Sequence, residues 1–133
     1  MSGGPIEGRA VGGGAPYAGA VRLVLADNDA NALDLIELDL RLEGHEIVGV
    51  ARDGVEAIAV CEAQHPDVLV VDYRMPPGID GVDVAERVLR SRSADRVIVY
   101  SNYNDPAVVA RARAAGATWV SKGRLAVLRA AIA

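Results

Sequence analysis

The sequence predicts an α/β fold in which a five-stranded parallel sheet is covered by helices on both faces. Two observations predict it. Short apolar runs alternate with helical stretches five times from residue 21 to the end of the chain. The third run, "DVLVVD" at 67–72, is apolar on both faces, as a central strand covered above and below should be.

Each element has its own signal. "VRLVLA" (21–26) is a strand ending in the acidic "DND". A helix follows over about 30–43, with Leu33, Ile36 and Leu40 on one face, Leu35, Leu38 and Leu42 widening it, and Gly44 as its stop. "HEIVGVA" (45–51) reads as the second strand. Asp53 with Glu56 three residues on forms a capping box for a helix over about 54–64, which His65-Pro66 ends. After the third strand, "PPG" (76–78) suits a type II turn with Pro77 and Gly78 in its middle. A helix over about 81–91 leads to the fourth strand, "RVIVYS" (96–101). Asp105-Pro106 is an N-cap followed by proline at the first helical position, and that helix closes at Gly116. "TWVSK" (118–122) is the fifth strand and "RLAVLRAAIA" the last helix.

Composition sets bounds. The 133 residues suffice for one hydrophobic core, and 51% apolar with 24% charged residues is ordinary for a globular domain. A net charge of −4 offers no basic field for nucleic acid. One cysteine, Cys61, excludes an internal disulfide, reads as a helix-packing residue, and fits a cytoplasmic setting. No apolar run approaches a membrane span, and residues 1–20 lack the apolar core of a signal peptide. Those twenty residues, "MSGGPIEGRAVGGGAPYAGA", read as a flexible Gly-rich leader ahead of a domain over 21–133. "IEGR" at 6–9 resembles a protease site placed in recombinant proteins, so part of the leader is a candidate tag. "GGG" at 12–14 follows no strand and is no phosphate loop.

In a parallel sheet of this kind ligands sit beyond the carboxyl ends of the strands. Strand one ends in Asp27, Asn28 and Asp29, strand three in Asp72, strand four in Ser101 and Asn102, strand five in Lys122. Several carboxylates at one rim repel unless a cation neutralises them, and hard oxygen ligands suit Mg²⁺. A carboxylate held by a metal and a lysine is a nucleophile for phosphorus, with Ser101 and Lys122 spreading the charge. Taken alone, Asp72 could end a strand and cap its turn, Asp29 could cap the first helix, and Trp119 could cover apolar surface. His45 and His65 read as solvated turn residues, and no Ser/His/Asp or zinc pattern can be assembled.

The pieces "LADND" (25–29), "GHEIVGVARDGVEAI" (44–58), "VVDYRMP" (70–76), Gly81, "VIVYS" (97–101) and "GATWVSK" (116–122) come in the order and spacing of a known family. From residue 21 onward the chain resembles a response-regulator receiver domain of two-component signalling, of the CheY-like superfamily. The resemblance implies a flavodoxin-like doubly wound (βα)5 sandwich with strand order 2-1-3-4-5. It implies Asp72 as phospho-acceptor, Asp27 as a metal-site acid and Arg74 as donor of a backbone carbonyl to Mg²⁺. It further implies Ser101 as switch hydroxyl, Lys122 as phosphate-binding lysine and Trp119 as the aromatic that moves. The implied partner is a histidine kinase or phosphotransfer protein, with receivers pairing through the last two helices, where Arg111, Arg113, Arg124 and Arg129 otherwise read as a solvated face. Such a domain binds no nucleic acid directly, though relatives often carry a helix-turn-helix output domain.

The sequence departs from the family at four places. Asn28 stands where a direct metal-binding aspartate is usual, which predicts weaker Mg²⁺ binding unless Asp29 swings in. Asn102 follows Ser101 where a small residue is preferred. The loop from Asp72 to Gly81 is one residue longer than usual and that from Gly116 to Trp119 one shorter. Lys122 precedes Gly123 instead of proline, removing the usual reason for a cis peptide. Two rivals follow: a degenerate receiver that works as an interaction module without phosphate, favoured by Asn28, and an aspartyl phosphatase. The phosphatase would want an acid two residues after Asp72, where Arg74 stands.

Overall fold

The computed structural model describes residues 19–133. The leader, its IEGR sequence and its glycine run fall, but for the last two residues, outside the described residues. The elements run β1 (Arg22–Ala26), α1 (Ala30–Leu42), β2 (Glu46–Ala51), α2 (Gly54–Gln64), β3 (Val68–Val71), α3 (Gly81–Ser91), β4 (Arg96–Ser101), α4 (Pro106–Ala114), β5 (Thr118–Ser121) and α5 (Leu125–Ile132). All five strands are parallel, in the order β2-β1-β3-β4-β5. The predicted fold class and strand order hold. Predicted boundaries shift by a residue or two, as where β3 stops at Val71 and leaves Asp72 just past the strand.

Alternation along the strands sorts the core into two layers. Val24, Ala26, Leu69, Val71, Val97 and Val99 pack toward α2, α3 and α4. Leu23, Leu25, Val68, Val70, Ile98 and Tyr100 pack toward α1 and α5. Every residue of β3 is buried, which is why its sequence shows no polar alternation.

Helix ends follow side-chain chemistry. Asp29 caps α1 by accepting from the N–H groups of Asn31 and Ala32. At the other end Gly44, at φ +92°, reverses the chain with its N–H on the Arg41 carbonyl, and the His45 N–H reaches Leu40. Asp53 caps α2 as predicted, but Glu56 accepts from the N–H of Arg52 rather than of Asp53. The full capping box belongs to α3, where Asp80 and Asp83 exchange backbone hydrogen bonds.

Four expectations are corrected. Leu35, Leu38 and Leu42 do not widen the buried face of α1 and are exposed. At about 100° per residue they lie opposite Leu33, Ile36 and Leu40. The Pro76–Pro77 peptide is cis, not the trans form of a type II turn, which a proline nitrogen permits at small cost. His45 is half-buried, and its Nδ1 accepts from the Val21 N–H at 3.1 Å, pinning the start of β1. Arg111 and Arg129 are not a solvated face: Arg111 pairs with Asp83 (2.5 Å), Glu86 (3.4 Å) and Asp80 (3.5 Å) of the α3 region, and Arg129 with Asp39 and Glu43 at the end of α1. Acids on the facing helices, invisible to a reading along one element, claim both guanidinium groups. Arg113 and Arg124 are exposed.

Cys61 is fully buried in α2, as read from the sequence. Burial, followed by the charge of Glu62, pushes its thiol up to about 12. Since the thiolate is the reactive form, a disulfide reagent at pH 8 should label the folded protein far more slowly than the urea-unfolded chain. Equal rates would contradict the packing of α2.

Candidate functional site

The parallel topology delivers the carboxyl ends of β1, β3, β4 and β5 to one rim. Ala26 and Val71 are register partners, and the Asp72 N–H donates to the Ala26 carbonyl at 2.9 Å. Asp27 and Asp72 therefore leave adjacent strands side by side. Ser101 pairs with Ser121 across β4 and β5, and the Lys122 N–H donates to the Ser101 carbonyl, so Lys122 starts its side chain beside Ser101.

The lysine then bridges the acids. Its Nζ donates to Asp27 Oδ2 at 2.6 Å and to Asp72 Oδ2 at 3.0 Å. Asp27 is 2% exposed, a burial that a carboxylate tolerates only when paired. The other oxygens are held by backbone: Asp27 Oδ1 accepts from the Asp29 N–H at 2.9 Å and Asp72 Oδ1 from the Tyr73 N–H at 2.7 Å. Burial works against the Lys122 ammonium, but its hydrogen bonds to Asp27 and then Asp72 outweigh it and hold the pKa above the ordinary 10.5. Two carboxylates against one ammonium leave the centre with one negative charge in excess.

That excess and the hard oxygen donors fit a divalent cation such as Mg²⁺. Carboxylate oxygens keep lone pairs beyond the hydrogen bonds they accept, and no hydrogen bond among the described residues ends on the Arg74 carbonyl. The set is lean, however. Asn28 is exposed and neutral, and Asp29 is occupied in capping α1. Among the described residues no group of three or more acidic, histidine or cysteine side chains converges.

Gly81 makes the arrangement possible. Its N–H donates to the Tyr73 carbonyl at 2.7 Å, drawing α3 against the tail of β3. A Cβ there would stand 2.1 Å from the Asp72 carbonyl oxygen, so only glycine allows the approach.

The remaining sequence-predicted residues sit around this centre with partners of their own. Ser101 is 3% exposed, and its Oγ accepts from the Tyr103 N–H at 3.2 Å. Among the described residues no hydrogen bond joins it to Asp72. Asn102 is exposed. Trp119 is half-buried at the edge of the α2–α4 core, and its Nε1 is buried without a hydrogen-bond partner. Lys122–Gly123 is not cis; Gly123 adopts φ +87° and its N–H donates to the Tyr100 hydroxyl at 2.9 Å.

Two residues at this rim, Tyr73 and Tyr103, carry no signal that the sequence reading uses. Tyr73 and Tyr103 stack with centroids 5.0 Å apart, Tyr73 lies 6.0 Å from Trp119, and the Arg74 guanidinium stands 4.4 Å over the Tyr103 ring. The aromatics thus connect the loop after Asp72, the loop after Ser101 and Trp119. Their positions directly after Asp72 and two residues after Ser101, in a chain with only four tyrosines, were the available signal.

Comparison with known proteins bears on the same rim. The chain is 40% identical over 97 residues to the transcriptional regulatory protein PdtaR of Mycobacterium tuberculosis, covering 72% of this chain and 46% of that protein. It is 37% identical over 103 residues to the regulatory protein NarL of the same organism, covering 77% of this chain and 47% of that protein. The chain thus spans just under half the length of these relatives. Among solved structures, the receiver domain of that NarL matches with a TM-score of 0.74 and 36% identity, over 84% of this chain and 96% of that one. CheY in a CheX–CheY–BeF3–Mg complex from Borrelia burgdorferi matches in fold with a TM-score of 0.74 at 24% identity, over 81% of this chain and 84% of that chain. The response regulator receiver domain model matches residues 23–132, from the first residues of β1 to the end of α5, and so takes in every strand end that feeds the lysine-bridged acids. The chain belongs to the response regulator receiver domain family.

Proposed function

We propose that this receiver is a phosphorylation-dependent switch whose acceptor is Asp72. The observation that carries the reading is the Lys122 ammonium bridging Asp27 and Asp72, because it gathers a nucleophile, a cation and a second acid from three separate strand ends. A carboxylate oxygen of Asp72 attacks phosphorus, and the bond from phosphorus to the donor's nitrogen or oxygen breaks, with its electron pair leaving on the donor. The donor is the phosphohistidine of a kinase or phosphotransfer protein, or a small acyl or amido phosphate. Lys122 stays beside the new group and pairs with its oxygens, while Ser101 turns its hydroxyl from Tyr103 toward them. Asp27, Asp72 and the Arg74 carbonyl would hold Mg²⁺, whose chemistry is to neutralise charge on the transferring phosphoryl oxygens. The chain catalyses at most this reaction on itself and the hydrolysis that returns Asp72 to a carboxylate and releases phosphate.

Mass measurement of the intact protein tests the reading. Incubation with Mg²⁺ and a small phosphodonor is expected to add one phosphoryl mass, and Asp72→Asn to abolish it. Asn28→Asp should speed the addition about tenfold or more by supplying the missing carboxylate. No added mass in either the wild type or Asn28→Asp would favour the second reading, a phosphate-independent interaction module, for which the neutral, exposed Asn28 speaks. An aspartyl phosphatase is disfavoured because Arg74, where its general acid would stand, lies over Tyr103.

Trp119 should report the switch. Its orphaned Nε1 costs free energy in the present arrangement, so a shift of Ser101 and Tyr103 that frees the indole lowers that cost. As the chain's only tryptophan it gives an unmixed signal. A change in its fluorescence on addition of a phosphodonor or beryllofluoride, absent in Asp72→Asn, is expected. A constant spectrum during demonstrated phosphorylation would remove Trp119 from the switch. The switched surface is that of α4, β5 and α5, and with it any pairing of receivers there. By analogy with the relatives' names, that surface would govern a transcriptional output in the cytoplasm. Among the described residues no helix is long and apolar enough to cross a membrane.

A further inference from the structure

Helix α1 carries two apolar stripes, and the fold uses only one. Leu33, Ile36 and Leu40 enter the core, while Leu35, Leu38 and Leu42 on the opposite side are 60%, 58% and 77% exposed. One exposed leucine needs no explanation, but three aligned along about two turns of one helix leave an apolar ridge in water. Their spacing of three and then four residues is that of a coiled-coil seam.

We infer that this ridge is where a second copy of the chain docks, α1 against α1 in antiparallel. The charges beside the ridge argue for a copy of itself. Asp34 and Arg41 lie on the same flank of the ridge, one before and one after Leu38. A two-fold axis at Leu38 sets Leu35 of each copy against Leu42 of the other and brings the two Leu38 side chains together. The same rotation places Asp34 of each copy opposite Arg41 of the other, giving two pairs of opposite charge. Arg41 donates within its own helix to Glu37 at 2.9 Å, an exposed pair of little consequence, and its fork has donors for a second carboxylate. On the other flank Asp39 would meet its counterpart near the axis, and there Arg129 already neutralises it. At about 20 Å the helix is short, so the contact is smaller than a standard interface and the dimer concentration-dependent.

Sedimentation velocity on the full chain, from micromolar to millimolar concentration, tests this, with circular dichroism confirming that each variant is folded. The wild type should shift from monomer to dimer, and Leu38→Glu should stay monomeric throughout. Asp34→Arg and Arg41→Asp should each weaken dimerisation about tenfold or more, and the double reversal should restore it. A wild type that stays monomeric throughout, a dimer unchanged in Leu38→Glu, or a double reversal that restores nothing would overturn the inference. So would a monomeric wild type in which Leu38→Glu impairs only transfer from a kinase, which would assign the ridge to the phosphodonor.

Discussion

Lys122→Met is expected to destabilise the protein by about 3 kcal/mol at pH 7, since removing one partner strands the others in a site where water screens poorly. Asp27 and Asp72 would then face each other as like charges with no cation between them, their side chains only 3% and 11% exposed. Millimolar Mg²⁺ should restore part of the loss at pH 7. Phosphoryl acceptance should fall by roughly 100-fold, the scale of deleting one preorganised donor. The wild type carries the complementary signature. Because the folded Lys122 pKa lies above its ordinary 10.5, its contribution is complete below that value and is lost as the pH rises through the folded one. That alkaline decline should be missing from the methionine variant. A Lys122→Met protein as stable as wild type at pH 7 would mean the ammonium does not hold the acids together.

Gly81→Ala is the second large effect. The added Cβ would meet the Asp72 carbonyl oxygen at 2.1 Å, the Asp72 carbonyl carbon at 2.9 Å and Tyr73 Cα at 3.0 Å, all backbone atoms that cannot rotate away. Either α3 withdraws or the tail of β3 bends, and both move the acceptor. A loss of about 3 kcal/mol is expected, the upper end for overpacking, with slower phosphorylation in whatever remains folded. Gly78→Ala is the control. Its Cβ would touch nothing within 4 Å, and the only penalty is the positive φ of +107°, worth about 1 kcal/mol. Equal unfolding midpoints for the two variants would show that close approach at Gly81 is not what fixes Asp72.

The fold was legible because its signals are local. Helices 54–64 and 81–91 and strand 96–101 were readable from caps and apolar runs that sit within a few residues of each other. The rim followed from topology, since parallel strands must bring their carboxyl ends together. What escaped depended on partners distant in sequence. Nothing near Arg111 announces Asp80, Asp83 and Glu86, and nothing near His45 announces the Val21 N–H. The exposed leucines of α1 are hard to read for a different reason. In a Leu-rich helix apolar residues satisfy more than one stripe, and only the 100° step decides which stripe the sheet can cover. The Tyr73–Tyr103–Trp119 cluster likewise arises where two loops meet strand β5, so no single segment encodes it.

The cap of α1 sets a limit on how this receiver can bind a cation. Asp29 Oδ1 accepts from Asn31 and Ala32, so swinging that carboxylate toward the strand ends would leave two amides of the helix's first turn without an acceptor. Recruiting it would fray the opening turn, at about 1 kcal/mol, or close to a fivefold weaker ion affinity. Asp29, the acid next to Asn28 in the chain, is thus already committed to holding its helix shut.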